Sequence, residues 1–587
     1  MPSKFYNNQL DKYSKQLKRT KKTLGLISLL RLLTFLGIIF LTYYFFDDTQ
    51  ITAIVLVVGI CLFIFLVTVY TNLNYQKNKL TELVKINSNE LKVLNRDFDF
   101  LDTGNEFVNA SHEFSNDIDL FGQGSFFQYL NRSSTRYGKE KLAQVLTSNN
   151  IDSIKEKQEA IQELKDMAEW RQNFTAVASL IKTEMSETTI LKWLKNYRSF
   201  LPEKIRNLPL IFSVISLIVI TFSILDYLHS VFLVLWFIIG FSITGTYIKK
   251  INKLSLHTSK IQETFHQYYK LFLTIEKTTF KTESLKKQRE YIIHDSEKVS
   301  KIIQKFSRAL DALDQRNNLL IGFFGNGLFL WDIMQSYRIE KWIEKHKMEV
   351  EEWFNVVAFF DAYNSLGNFA FNHPEYVCPV IIDNEIVIKA QNMGHPLVKK
   401  ESLVANDFEI TKEGIFIITG ANMAGKSTFL RTVSLYIMMG NIGLPVCASS
   451  AFYSPIKLIT SMRALDSLSK DESYFFSELK RLKFIVDKIE KDNYFIVLDE
   501  ILKGTNSKDK AEGSKKFVEK ISKSKSTGII ATHDLSLCDV AKEIEKVENY
   551  YFDAYIKNDE LSFDYKLKQG VCKNMNASFL LKRMGIV

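Results

Sequence analysis

The chain has 587 residues, 46% of them apolar, and a net charge of +10. This length excludes a single compact core and predicts three or four domains. The positive net charge is consistent with anionic partners, either phospholipid head groups or nucleic acid. It is equally well explained by the basic residues that flank membrane spans. Five scattered cysteines without a CxxC pair exclude a disulfide framework and a cysteine zinc site, so reduced thiols are expected.

Four apolar runs, arranged as two closely spaced pairs, are predicted to cross a membrane as helices. The first pair is Leu24–Phe46 and Ile51–Tyr70, and the second is Leu208–Leu225 and Val231–Ile248. Each approaches the roughly 20 residues that cross a bilayer core. The first run is too long for a signal peptide and has no small-residue cleavage site. Buried helices of a soluble domain are the alternative for the second pair.

Basic residues lie on one side of both predicted hairpins. They precede the first span, follow the second and fourth spans, and are absent from both hairpin turns. These residues are Lys4, Lys12, Lys15, Lys18, Arg19, Lys21, Lys22, Lys77, Lys79, Lys249, Lys250 and Lys253. The positive-inside rule then predicts a multi-pass protein of the bacterial inner membrane with both termini and all large segments in the cytosol.

Proline is absent between Pro2 and Pro202 and between Pro209 and Pro374, which permits long helices. Segments 75–110, 135–200 and 250–370 are predicted to be helical, with long helical arms over about 250–350. Solvated helices without a special role are the alternative. The predicted regions are a basic N-terminus (1–23), a transmembrane hairpin (24–71), the first part of a helical core (72–207), a second hairpin (208–248), a helical arm with the second part of the core (249–375) and an α/β domain (376–587).

After Pro374 the pattern changes, because short apolar runs alternate with helical stretches. These runs are Glu385–Ile388, Ile415–Thr419, Tyr494–Leu498 and Thr527–Ala531. Strands that alternate with helices indicate an α/β domain with a largely parallel sheet.

The run Ile415–Thr419 leads directly into a glycine-rich loop, GANMAGKS at 420–427, which fits the phosphate-binding pattern GxxxxGK followed by Ser or Thr. Glycines let the chain wrap closely around phosphate, while loop N–H groups and the following helix N-terminus point at the anion. Lys426 is expected to reach the β- and γ-phosphates of ATP, and Ser427 to ligate Mg²⁺. The residues predicted to bind the nucleotide are Gly420, Ala421, Asn422, Met423, Ala424, Gly425, Lys426, Ser427 and Thr428.

Acidic and imidazole side chains follow two other predicted strands. Asp499 and Glu500 come directly after Tyr494–Leu498, and His533 follows Thr527–Ala531. Asp499 is expected to hold the magnesium shell, and Glu500 to orient or polarise the attacking water. His533 is placed to contact the γ-phosphate. The alternative for the two acids is an exposed turn at a strand end.

Together these segments resemble the MutS family of P-loop ATPases. The similar segments are TGANMAGKSTFLR at 419–431, SYFFSE at 473–478, LDEILKGTNS at 498–507, ATH at 531–533 and GHPL at 394–397. Weaker similarity at 119–138 and 361–379 extends the resemblance to the start and end of the family's helical core. The C-terminal stretch 565–587 is similar to the family's closing strand and helix.

The resemblance implies a homodimer with composite ATPase sites. It implies that one subunit supplies most of each site, namely Lys426, Ser427, Asp499, Glu500 and His533. Ser473 is implied to reach the γ-phosphate of the ATP bound by the partner subunit. The resemblance also implies that His395 contacts the nucleotide.

Departures from the family pattern bear on function. Only 23 residues precede the first span, so the mismatch-reading and connector domains of MutS are expected to be missing. The second hairpin interrupts the core near the place where the family inserts its DNA clamp. Ala421 and Ala424 stand where MutS usually has Pro and Gly. Lys503 stands where the family has Arg, so the positive charge is kept but the bidentate hydrogen-bonding geometry of a guanidinium is lost.

Three hypotheses follow. The first is a DNA-binding, mismatch-repair-like ATPase tethered to the membrane and acting on branched or damaged DNA. The second is an ABC-like membrane ATPase that acts on lipid or a membrane protein, although the chain has no LSGGQ motif and its spans lack polar residues along a transport path. The third is a scaffold whose ATPase only switches conformation, which the intact Glu500 disfavours. The sequence does not define any partner protein.

Overall fold

The computed structural model describes residues 1–181, 186–293, 297–421, 423–463, 474–557 and 560–572, and it shows a mainly helical, multidomain chain with two β-sheets near the C-terminus. The helices are α1 (Pro2–Tyr44), α2 (Thr49–Leu94), α3 (Phe126–Leu130), α4 (Arg136–Thr147), α5 (Ile154–Asp166), α6 (Ala168–Ala178), α7 (Glu187–Asn196), α8 (Leu208–Ile224), α9 (Ser230–Lys277), α10 (Glu283–Glu290), α11 (Val299–Asp314), α12 (Asn326–Phe329), α13 (Trp331–His346), α14 (Val350–Asn372), α15 (Lys426–Asn441), α16 (Tyr474–Ile489), α17 (Ser507–Ser522) and α18 (Val540–Glu543).

Short turns of other helix types connect these elements. They are 3₁₀ turns at Asn105–Phe107, Glu203–Asn207, Gln315–Asn317 and Leu535–Asp539, and a π turn at Ile321–Gly325. The strands are β1 (Val380–Ile381), β2 (Ile386–Met393), β3 (Asn406–Thr411), β4 (Ile415–Gly420), β5 (Ser450–Tyr453), β6 (Lys457–Ser461), β7 (Tyr494–Asp499), β8 (Thr527–Ala531), β9 (Val547–Lys557) and β10 (Glu560–Gln569).

The four predicted spans lie in helices α1, α2, α8 and α9. Over the described residues, four helical stretches are long and apolar enough to cross a membrane, and most of their apolar surface is exposed. Apolar surface of this extent marks a membrane or partner interface. Helices α1, α2 and α9 continue well beyond their apolar stretches, at 43, 46 and 48 residues, so each span runs without a break into the core.

A buried polar network fastens the first hairpin to the helical core. The Tyr6 hydroxyl of α1 donates to Asn372 Oδ1 at 2.7 Å, and Asn372 Nδ2 donates to Glu90 Oε2 of α2 at 2.8 Å. Arg132 forms an ion pair with Glu90. Glu90 and Tyr6 are almost fully buried, so each of these polar groups depends on the others for its hydrogen bonds.

Asp361 in α14 joins the two ends of the helical core. This fully buried carboxylate accepts hydrogen bonds from Thr135 Oγ1 at 2.7 Å, Thr135 N at 2.8 Å and Ser134 N at 3.1 Å. Thr135 in turn caps α4, because its Oγ1 accepts from Gly138 N at 2.9 Å. The segments 119–138 and 361–379, which are more than 200 residues apart, therefore meet at one carboxylate.

The prediction that 250–370 is helical is wrong at the breaks after α9 and after α10, and most clearly between α11 and α13. There the chain leaves α11 at Gln315, forms the π turn and the single turn α12, and enters α13 at Trp331 after Leu330 adopts a φ of 49°. Glycines at 322, 325 and 327 weaken α-helix here. The apolar residues between them fit the helical pattern, which concealed the break.

The larger sheet has the order β10-β9-β4-β8-β7-β6 within the described chain, and its strands are parallel except for β10. The predicted strands 415–419, 494–498 and 527–531 are confirmed as β4, β7 and β8. Their carboxyl ends lie side by side, so the residues that follow them meet at one edge. A second sheet, β1-β5-β2-β3, is mostly antiparallel and was not predicted beyond part of β2.

The Asp361 contact gives a stability prediction. Asp361→Ala leaves three buried donors without an acceptor, so we expect a loss of about 3 kcal/mol and a melting temperature several degrees lower. Thermal unfolding of the detergent-solubilised protein measures this. Asp383→Ala is the control, because that side chain is 99% exposed and pairs only with Lys412, and its effect is expected within about 0.5 kcal/mol. Equal melting temperatures for the two variants would contradict the assigned role of Asp361.

Candidate functional site

The loop between β4 and α15 wraps tightly at two glycines. Gly420 has a φ of 149° and Gly425 a φ of 104°, in the region that favours glycine. A Cβ on Gly420 would lie 2.6 Å from the backbone oxygen of Phe552, and one on Gly425 would lie 3.0 Å from the Tyr565 ring. Ala424 is buried and Met423 is exposed. Asn422, also predicted to bind the nucleotide, lies outside the described residues.

Lys426 opens helix α15 and folds across this loop. Its Nζ donates to the carbonyl oxygens of Gly420 at 2.7 Å and Ala421 at 2.9 Å. Burial lowers the pKa of this amine, and the nearby carboxylates of Asp499 and Glu500 oppose that shift. The α15 N-terminus, where Ser427 and Thr428 lie, adds free backbone N–H groups to the same point. This arrangement concentrates positive potential suited to phosphate.

Ser427 and Asp499 form a pair of oxygen donors across the parallel strands. Ser427 Oγ donates to Asp499 Oδ2 at 2.6 Å. The described residues, this site included, contain no group of three or more His, Cys, Asp or Glu side chains that could hold a metal. Mg²⁺ commonly takes one or two protein ligands and completes its shell with phosphate and water oxygens. The hydroxyl and carboxylate donors of this pair fit that ion.

Glu500 is held in a strained conformation that aims its side chain at the loop. Its φ is 53°, which costs a non-glycine residue on the order of 1 kcal/mol or more. Its N–H donates to Ala531 O of β8 at 2.9 Å. Its two carboxylate oxygens lie 3.1 Å from His533 Nε2 and 3.5 Å from Lys503 Nζ.

His533 lies where its neutral imidazole can orient the Glu500 carboxylate. Burial and the charge of Lys426 lower the pKa of His533, and the carboxylates of Glu500 and Asp499 oppose them. A neutral imidazole with its proton on Nε2 lies within donor distance of Glu500 Oε1, at 3.1 Å. The imidazole can therefore orient the carboxylate without neutralising it.

A cavity of about 700 Å³ connects this polar edge to the second sheet. His395, between β2 and β3, lines it from the side opposite Lys426. Burial, together with Arg431 and Arg96, lowers the pKa of His395 to about 4, so the ring is neutral at physiological pH. A neutral ring in a half-apolar cavity suits a base or ribose better than a phosphate.

The structure also brings Tyr565 to the cavity, a position that the sequence analysis did not assign to the site. The register of β10 against β9 shifts between Phe563 and Leu567, and Tyr565 has a φ of 54°. This irregularity turns its ring toward Gly425. Its backbone oxygen accepts from Asn406 Nδ2 at 3.0 Å. No periodicity in the sequence signals such a bulge.

Two carboxylates of the helical core reach the edge of the site. Asp119 pairs with Arg431 of α15 at 2.9 Å and with Arg463 after β6 at 2.5 Å. Asp117 accepts from Thr460 Oγ1 of β6 at 2.6 Å and from Arg463 N at 3.0 Å. These contacts join the core to α15, which follows the glycine loop, and to β6, which lies beside β7. The sequence analysis missed them.

The predicted site residues thus fall into two groups. The structure brings together Lys426, Ser427, Asp499, Glu500 and His533, with His395 across the cavity. Ser473 lies outside the described residues, which resume at Tyr474 with α16, so its role across a dimer interface remains a prediction.

Comparison with known proteins agrees with this C-terminal arrangement. Residues 416–581 match the family model MutS domain V. Proteins named DNA mismatch repair protein MutS are 33% identical over 240 residues in Finegoldia magna, 30% over 243 residues in Bacteroides thetaiotaomicron and 34% over 253 residues in Clostridium tetani. The matches cover 40%, 40% and 41% of this chain, and 28% of each relative.

The C-terminal region is therefore a MutS domain V. This domain match and the MutS-named relatives support membership of the MutS family. The chain matches only about a quarter of the length of these curated relatives, and the match does not reach the two apolar hairpins, which lie outside residues 416–581.

The tight contact at Gly420 gives a binding prediction. Gly420→Ala places a methyl group against the Phe552 carbonyl of β9, so we expect the loop to shift and ATP affinity to fall at least about tenfold. Fluorescence titration with a labelled ATP analogue measures this. Gly245→Ala on α9 is the matched control, because a Cβ added there meets no atom within 4 Å. Unchanged affinity in Gly420→Ala would show that the loop does not hold the nucleotide.

Proposed function

We propose that this chain is a membrane-anchored ATPase of the MutS type that binds ATP with Mg²⁺ and works as a homodimer. The observation that carries the proposal is the meeting of Lys426, Ser427, Asp499, Glu500 and His533 at one edge of a parallel sheet, beside a cavity of about 700 Å³. This is the donor set that phosphoryl transfer needs, namely a cation, a metal-ligand pair and an oriented base.

Each side chain has a defined task in this mechanism. The loop N–H groups and Lys426 bind the phosphates, and Lys426 exchanges its loop carbonyls for phosphate oxygens. Ser427 Oγ and Asp499 would hold Mg²⁺, which would supply charge neutralisation for phosphate oxygens. Glu500 orients the attacking water and accepts its proton. His533 keeps the Glu500 carboxylate aimed by donating from Nε2.

The dimer follows from the family resemblance. Residues 473–478 precede the α16 helix, and in this proposal Ser473 completes the nucleotide site of the partner subunit. Binding of ATP then closes the interface and hydrolysis loosens it. A monomer that hydrolyses ATP at full rate is incompatible with this arrangement.

The proposal places α1, α2, α8 and α9 across the bacterial inner membrane, with the ATPase domain in the cytosol. Exposed apolar surface on these helices and the distribution of Lys and Arg support it. Both hairpin turns are short, so almost nothing lies on the far side.

DNA is the proposed substrate because of the net charge of +10 and because the matching relatives are named DNA mismatch repair proteins. An ABC-like membrane ATPase that acts on lipid or a membrane protein is the second candidate. The observation that favours the second candidate is α9, which runs unbroken from the apolar hairpin into the helical core. Motion of the core therefore reaches the membrane directly.

The role of Glu500 gives an activity prediction. Glu500→Gln keeps the shape of the side chain and removes the base, so we expect the ATP hydrolysis rate to fall at least about 100-fold while ATP still binds. Phosphate release and analogue binding by the protein in nanodiscs measure the two effects. Glu512→Gln on α17 is the control, because Glu512 is exposed and pairs with Lys516. Full activity in Glu500→Gln would remove Glu500 from the mechanism.

The same assay separates the two substrate classes. Duplex, mismatched and branched DNA are added to the wild-type protein at fixed salt, because DNA affinity depends steeply on salt. A rate that changes with one DNA form supports the DNA-acting ATPase. A rate that ignores every DNA form but changes with lipid composition overturns the DNA assignment and supports the membrane ATPase.

A further inference from the structure

The connector between α11 and α13 exposes an unusual amount of apolar surface. The sequence from Asn317 to Trp331 contains no charged residue. Large side chains along it are exposed, with Leu319 at 84%, Leu320 at 62% and Phe324 at 49%. Such a cluster on a surface marks a binding or membrane interface.

The connector packs against the apolar part of α9. The Phe323 ring lies 4.8 Å from that of Phe237 and 5.3 Å from that of Phe241, measured between centroids. Gly327 approaches α9 so closely that a Cβ on Gly240 would lie 2.2 Å from the Gly327 oxygen. The close contact of two glycines is typical of helix packing in membranes.

These contacts indicate how deep in the bilayer the connector lies, measured along α9. Lys249 is the first basic residue after the apolar run of α9, and Phe241 and Phe237 precede it by eight and twelve residues. At about 1.5 Å per residue they lie about 12 and 18 Å beyond Lys249. Half the thickness of a bilayer core is about 15 Å. The connector therefore extends alongside α9 to about the middle of the bilayer.

Helix α13 gives a second, independent measure of depth. Glu340 accepts from Phe200 N and from the Tyr197 hydroxyl, both at 2.8 Å, and Lys341 pairs with Glu203 at 2.9 Å. These partners precede the apolar helix α8. Trp331 lies nine residues before Glu340, which is about 13 Å along the helix, and the connector reaches α8 and α9 at that end.

Several polar groups in and beside the connector are paired within the protein. Gly322 N donates to Asn318 O at 2.7 Å, and Asn326 Nδ2 donates to Gly322 O at 2.9 Å. Asn326 Oδ1 accepts from Asp332 N at 2.9 Å. Trp331 Nε1 donates to a carbonyl of α11 at 2.8 Å. Irregular backbone enters a bilayer only when its polar groups find partners in this way.

The two charged residues that flank the connector neutralise each other. Arg316 Nη2 lies 2.9 Å from Asp332 Oδ2, and the side chains are 13% and 0% exposed. Charges at membrane depth are usually paired and face the protein interior. Apart from Asn318 at its start, the exposed side chains of the connector are apolar.

We propose that the connector, residues 318–330, is a re-entrant membrane segment whose exposed side chains lie in the hydrocarbon of the cytosolic leaflet. This inference rests on the proposed crossing of the membrane by α8 and α9. Lipid is the occupant because the exposed apolar side chains of the connector lie beside the exposed apolar surface of those helices, which it contacts. The ends of α11 and α13 are then anchored in the bilayer directly, so movement of these helices displaces the cytosolic leaflet.

Cysteine accessibility tests this proposal in the full-length protein. Leu320→Cys and Phe324→Cys are made with the exposed native Cys61 replaced by serine, and the protein is reconstituted in phospholipid vesicles. A water-soluble PEG-maleimide reports exposure to water. Met348→Cys, 71% exposed at the far end of α13, is the aqueous control, and Val234→Cys, 57% exposed within α9, is the membrane control. ATP hydrolysis by each variant confirms folding.

We expect Leu320→Cys and Phe324→Cys to react at least tenfold more slowly than Met348→Cys and about as slowly as Val234→Cys. An NBD fluorophore attached at either position is expected to be quenched by lipids that carry a nitroxide on the acyl chain. Reaction as fast as Met348→Cys, with Val234→Cys protected, overturns the re-entrant segment alone. Protection without quenching also overturns it, since a second protein copy then covers the face. Fast reaction of Val234→Cys overturns the membrane crossing itself.

Discussion

Asp117 and Asp119 of the helical core connect it to both flanks of the candidate nucleotide site. Asp119 holds one arginine from the helix that follows the glycine loop and another from the end of β6, and Asp117 binds β6 itself. A carboxylate shared between two arginines responds to small relative shifts of those two elements. Any change that a nucleotide makes at α15 therefore reaches the core through these contacts.

Helix α14 connects these contacts to the rest of the core, so a shift of α15 relative to β6 can be transmitted through it. Asp361 of α14 binds the N-terminus of α4, and Asn372 at the end of α14 belongs to the network that holds α1 and α2. Helix α9 contributes a direct route, since it packs against α11 in the core and runs into the second hairpin without a break. The fold is thus a continuous set of helices from the nucleotide edge to both hairpins.

The proposed membrane crossing accounts for the apolar surfaces of this chain. The apolar hairpins and the connector at 318–330 expose side chains that water would not solvate well, while the backbone of the hairpins is helical. A connector that lies in lipid cannot close around a DNA molecule. In this arrangement DNA has to bind elsewhere on the cytosolic surface, or the ATPase acts on the membrane.

The sequence predicted the elements that have a local signal. Strands β4, β7 and β8 are buried on both faces, so they appear as continuous apolar runs, and the polar residues after them follow from parallel topology. The connector was not predicted, because an apolar run without charge fits a core helix as well as a membrane segment. The contacts of Asp361 and Asp119, and the bulge at Tyr565, depend on residues far apart in the chain, which one sequence does not pair.

We infer that the nucleotide state moves the helical core relative to the C-terminal α/β domain. The most direct measurement is the distance between spin labels at Met348→Cys and Glu512→Cys, by pulsed EPR in nanodiscs, with the Glu500→Gln change to retain ATP. We expect ATP to shift the distance distribution, and Lys426→Ala or Asp119→Asn to abolish the shift. Identical distributions with and without ATP would contradict it, and would leave a nucleotide site that is not coupled to the membrane anchor.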